Sequence, residues 1–155
     1  MKDRYSDSSK SLRAHWLIVG LLAVLLVAYM VICHVWGGQF KLHYEESERM
    51  LIRSVFYLVG VFLFPLTNLV RFVLLRLDQT MPGDKPAVKR YFSTVLVSLL
   101  LIEILPVFGL VMFGLGDDFN TFYIFIVFGA LGLMLHRPKI EELEAIEQAL
   151  LAKNA

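Results

Sequence analysis

Cysteine is nearly missing from this chain. One residue, Cys33, stands in 155, which excludes an internal disulfide and any site built from several thiolates. Its setting, VICHVW, is apolar, so the thiol reads as a small buried hydrophobe. Charge is scarce as well, at 19% of residues, and it is clustered rather than spread. The formal net charge is +1, so no strong field draws nucleic acid or an acidic partner towards the protein. Catalytic signatures are lacking too. No Ser/His/Asp set, HExxH pair or glycine-rich phosphate loop occurs. His43 and Glu45 are too few to make a metal site, and nothing implies a cofactor. No span contains a strict GxxxG pattern.

What remains is apolar. Hydrophobic residues make up 57% of the chain, and mean hydropathy is +0.65. The scarcity of charge leaves long uncharged runs, which is the pattern of an integral membrane protein. The lipid bilayer is therefore the first expected partner.

Residues 1–15 form a polar tail rich in Ser, Asp and Lys. The run Trp16 to Trp36 is the first span. Its 21 residues reach about 31 Å as a helix, close to the hydrocarbon thickness. A tryptophan stands at each end, as interface anchors do. The second span is 54–75, the third 91–115 and the fourth 119–135. EESERMLIR, just before the second span, can extend that helix beyond the membrane. MPGDKP, between the second and third, has turn chemistry. Gly116, Asp117 and Asp118 leave room only for a tight hairpin between the third and fourth. Gly129, Ala130 and Gly132 give the fourth a small-residue patch suited to close helix contact.

Residues 136–155 read as a last helix outside the membrane. Ile140, Leu143, Ile146 and Leu150 recur at three- and four-residue steps, with Glu141, Glu142, Glu144 and Glu147 between them. The polar face is acidic, whereas helices lying on anionic lipid have basic ones. Its apolar face is expected to dock on the protein's own loops or on a partner.

Basic residues set the threading. The N-terminal tail, the second loop and the C-terminal tail carry most of them, the first loop carries Lys41, Arg49 and Arg53, and the third has none. Both termini are then cytoplasmic. The expected fold class is all-α: a four-span membrane bundle with a cytoplasmic amphipathic C-terminal helix.

Four polar residues within the spans form a candidate cluster. Glu103 lies about 18 Å into the third, where a charge is expensive. In the second span, Thr67, Asn68 and Arg71 fall on one helical stripe, and Pro65 breaks its hydrogen-bond ladder. The helical neighbours of Glu103 are apolar, so its partner must come from elsewhere. Asn68 and Arg71 are the expected donors. Without a partner the carboxyl group keeps its proton, because burial disfavours the charged form. Two roles stay open for Glu103: a structural tie between spans two and three, or a proton or cation carrier.

The run Glu103-Ile-Leu-Pro106-Val-Phe108-Gly109-Leu110-Val111 resembles the acid-bearing helix of rotary ATPase proteolipid (c) subunits. That resemblance implies proton or cation handling at Glu103. The second span departs from that family, holding only Gly60 and carrying Arg71. The same run, with the short acidic turn and a fourth span ending in His136-Arg137-Pro138, resembles small four-span bacterial inner-membrane proteins. The functional expectation is a non-enzymatic accessory, assembly or structural subunit of an inner-membrane complex. Its partner would be another membrane protein or further copies of itself, and the alternative is a proton- or cation-handling subunit.

Overall fold

A computed structural model describes residues 12–42, 44–82 and 85–154. The polar tail up to Ser11, His43 and the Gly83-Asp84 centre of the second turn lie outside them. The described chain is all-helical: α1 Arg13–Phe40, α2 Glu46–Thr80, α3 Ala87–Gly114, α4 Phe119–Leu135 and α5 Ile140–Asn154. Three of these, α1, α2 and α3, are long and apolar enough to cross a membrane. A fourth crossing is present if α4 and α5, bent by 43° across their break, count together.

Three helices, α1, α2 and α3, overshoot a bilayer, α2 by the most. At 35 residues, α2 is about 52 Å long against a hydrocarbon core of about 30 Å. It begins at Glu46, so EESERMLIR does extend it, and it runs on through Pro65. Many large apolar side chains stand exposed on the helices. Leu21, Val61 and Phe62 expose 68%, 66% and 63% of their area, more apolar surface than a water-soluble protein leaves open and suited to lipid.

The central helix is α3, which packs against all four others. Glycines set how closely α4 approaches it. A Cβ at Gly129 would lie 2.6 Å from the Pro106 ring, and one at Gly132 would overlap Ile102. Gly109 stands against Phe125 and the Phe122 backbone in the same way, with contacts of 2.8 and 3.1 Å. The small-residue patch noted in the sequence is thus where α4 seats on α3. On the other side of α3, α1 presents Leu22, Leu26, Tyr29, Cys33 and Gly37, spaced three and four apart. Cys33 is 3% exposed, in line with its reading as a buried hydrophobe.

The first and third loops lock together. Leu42 N–H donates to the Gly114 carbonyl at 2.8 Å, Lys41 Nζ to Asp117 O at 3.1 Å and Arg49 to Gly116 O at 2.7 Å. Arg53 pairs with the Asp117 carboxylate at 3.2 Å. These donors satisfy carbonyls that the end of α3 leaves open. Gly116 has φ +96°, and a Cβ there would run into the Leu42 carbonyl oxygen. Gly116→Ala is expected to destabilise the protein by about 1–3 kcal/mol, measured by titration with sodium dodecyl sulfate.

Asp118 caps α4 by accepting the Thr121 N–H at 3.0 Å. That bond holds its carboxyl below the usual aspartate range. A depressed acid contributes stability that is present at neutral pH and lost as pH falls below the ordinary aspartate value of about 3.9. Asp118→Ala should cost about 1 kcal/mol at pH 7 and nothing once the wild-type carboxyl is protonated. Unfolding titrations at the two pH values test this.

Candidate functional site

The polar stripe of α2 divides. Thr67 and Arg71, one turn apart, are buried at 0% and 6% exposure. Asn68 points outward into the apolar surface. Thr67 satisfies its hydroxyl on its own helix, donating to Leu63 O at 2.7 Å. Of the expected cluster, then, only Thr67 and Arg71 share a buried face.

Arg71 does not meet Glu103. Its guanidinium turns to the end of the bundle where α1 begins and α4 ends. There Nη2 donates to Glu142 Oε2 at 2.6 Å and Nε to Oε1 at 3.3 Å. Nη1 reaches the His136 carbonyl at 2.8 Å, and Nη2 the Arg137 carbonyl at 3.2 Å. The forked, planar guanidinium suits this task, since it can serve a carboxylate and two carbonyls together. Tyr91 of α3 joins by donating to Glu142 Oε2 at 2.9 Å and accepting the Lys139 N–H at 2.7 Å. His15 of α1 lies against the Tyr91 ring, with centroids 5.2 Å apart. One hub therefore ties all five helices. It also accounts for the break between α4 and α5, because Arg71 takes over carbonyls that leave the helical ladder there.

His136 borders this hub at 1% exposure. Its Nδ1–H donates to Gly132 O at 3.0 Å. Burial, above all, pushes the imidazole below the ordinary histidine range, so it is neutral at pH 7.

The hub also decides where α5 goes. Leu143 and Ile146 are fully buried against α2 and α3, with Ile140 and Leu150 partly buried beside them. For Ile140, Leu143, Ile146 and Leu150 the sequence left two covers open, the chain's own loops or a partner. Their apolar face lies on the chain's own helices α2 and α3 rather than on its loops.

Glu103 is left alone. It is 8% exposed, and neither carboxyl oxygen has a hydrogen-bond partner among the described residues. The Tyr29 hydroxyl of α1 faces it as a polar neighbour across the seam but closes no hydrogen bond on either oxygen. Leu100 and Val107, one turn to either side, are exposed at 51% and 37%. Glu103 therefore sits at the edge of the α1–α3 seam, where the buried face of α3 turns into its lipid-like one. No known protein family, characterised protein or solved structure matches this chain. The arrangement has to be read on its own chemistry.

A carboxyl group in this position cannot hold a charge cheaply, and no cation pairs with it among the described residues. It can take up and release a proton, or accept a cation or a hydrogen-bond donor that arrives from outside the seam. Sequence spacing located Glu103 and Arg71 but missed Tyr91, His136 and Glu142. The usable signal was chemical: a buried arginine near a helix end calls for an acid, and the first turn of α5 carries two, Glu141 and Glu142.

Proposed function

We propose that this chain is a non-enzymatic, four-span protein of the bacterial inner membrane with both termini in the cytoplasm. It works as a small subunit of a larger membrane complex and handles a proton or cation at Glu103. In this reading α4 crosses the membrane by itself and α5 lies in the cytoplasm, its apolar face on α2 and α3. The observation that carries the proposal is the unpartnered Glu103 carboxyl group, while Arg71, the arginine within the spans, is engaged by Glu142 and by the His136 and Arg137 carbonyls. A carboxylate kept for structure would have taken that arginine. The resemblance of Glu103–Val111 to proteolipid helices points the same way.

Labelling by an apolar carbodiimide tests this. The reagent adds to a protonated carboxyl group within the apolar phase, and the adduct rearranges to a stable N-acylurea that mass spectrometry locates. Modification should fall on Glu103 at neutral pH, decline as pH rises, and vanish in Glu103→Gln. Labelling that ignores pH, or an unmodified Glu103, would remove the proton-handling role. Slowing of the reaction by sodium or lithium at fixed pH would assign a cation instead.

The passive accessory reading keeps one observation in its favour. Much of α1 is unpacked, with Leu17 at 74% and Val24 at 66% exposure, a surface that another membrane helix could cover. Under that reading Glu103→Gln leaves the parent system's activity unchanged while the protein still assembles.

A further inference from the structure

Both α1 and α4 lean on α3, and they touch each other only sparsely. The glycine contacts at Gly129 and Gly132 draw α4 inward, and small residues face each other across the gap that results. The product is an apolar groove of about 440 Å³. Its buried lining is Leu26, Ile126 and Leu133, Ala23 and Ala130 stand nearer its opening, and Trp16 and Arg137 lie towards one end. Trp16 to Met30 spans about 21 Å of helix, more than the roughly 15 Å depth of one leaflet. The volume falls within the ordinary range for ligand sites, about 300–1,000 Å³.

Charge identifies the occupant. The Arg137 side chain is exposed at the mouth of the groove and pairs with no acid among the described residues. Arg13, also exposed, is one helical turn before Trp16 on the same face. A long apolar slot with two uncommitted guanidinium groups and an indole at one end matches an amphiphile with an anionic head. The threading puts that end at the cytoplasmic leaflet, where acidic lipids are found.

We propose that the α1–α4 groove is a binding site for an anionic phospholipid, with an acyl chain between Ala23 and Ala130 and the phosphate on Arg137 and Arg13. The site rests on the reading that α1 and α4 span the membrane and is independent of any role for Glu103. The flexible Met30 and Met134 side chains in the lining suit chains that differ in length and unsaturation.

The chain has two tryptophans, and the second, Trp36, is near the far end of α1. Trp36→Phe therefore leaves Trp16 as the only indole reporter of the groove. The full-length protein is reconstituted in this background, and Trp16 fluorescence is quenched with bromine-labelled phosphatidylglycerol or phosphatidylcholine. Phosphatidylglycerol should associate about fivefold more strongly, the gain expected from roughly one basic group near the surface. Arg137→Gln should lower the ratio, and Arg137→Gln together with Arg13→Gln should bring it close to one. Ala130→Leu, or Ala23→Leu if that variant folds poorly, should fill the slot and weaken quenching by both lipids. Equal quenching by the two lipids in the unmodified groove overturns the site. A preference that survives both leucine variants also overturns it, since the attraction would then belong to surface charge alone. Absence of quenching by either lipid overturns the membrane-spanning reading itself and the site with it.

Discussion

Arg71→Ala is expected to cost the fold about 3–5 kcal/mol, the range for removing one partner of a buried ion pair. The reason is what remains behind. Glu142 keeps a carboxylate whose side chain is 19% exposed, with Lys139 Nζ at 4.0 Å as its remaining ion-pair contact. The carbonyls of His136 and Arg137 also lose their donor. Arg71→Lys should recover only part of the loss, because an ammonium group cannot reach a carboxylate and two carbonyls in one plane. Tyr91→Phe should cost less, about 1–2 kcal/mol, for the hydroxyl shared by Glu142 and the Lys139 N–H. In a double-mutant cycle, Arg71→Ala and Glu142→Gln should couple by more than 1 kcal/mol, since they form one network. Detergent unfolding titrations supply all four numbers. Additive effects would mean that Arg71 and Glu142 act separately, contrary to the 2.6 Å contact.

Glu103→Leu should act in the opposite direction and stabilise the protein by about 1–3 kcal/mol. Both oxygens of Glu103 are buried without partners, so the wild-type fold carries their desolvation cost uncompensated. Leucine is close in size and has no polar atoms to strand. The gain should be absent in Glu103→Gln, whose amide is stranded in the same way. A stability loss above 1 kcal/mol in Glu103→Leu would show that the carboxyl group makes a native contact and would return it to a structural role. Stabilisation together with loss of carbodiimide labelling would mark a residue kept for activity at the expense of stability.

The two residues show how far spacing can be trusted. Helical periodicity placed Thr67, Asn68 and Arg71 on one stripe, and Thr67 with Arg71 do share a buried face. Periodicity could not say which helix that face meets. Arg71 has a long side chain close to the end of the apolar stretch, free to turn deeper or outward. It turned outward because α5 folds back along α2 and delivers Glu142 there. For α5, spacing correctly grouped Leu143 with Ile146 as one apolar face, yet an apolar face carries no label for what will cover it. Glu103 was visible at once, because one acid in an apolar run stands out in any reading. Its isolation was not, since that depends on what every neighbouring helix fails to offer.

Local composition determined what can be read along one helix at a time. Long uncharged runs dictate apolar helices of membrane length, prolines and glycines dictate where they turn or come close, and a carboxyl group among leucines dictates an energetic cost. Those are properties of sequence neighbours. Tertiary structure alone decided the pairings. It sent Arg71 to Glu142, closed α5 on the chain's own helices, left Glu103 facing Tyr29 without a bond, and opened a groove between α1 and α4. Each of these joins residues that are distant in the chain, and their free energies depend on which helices pack together and at what depth.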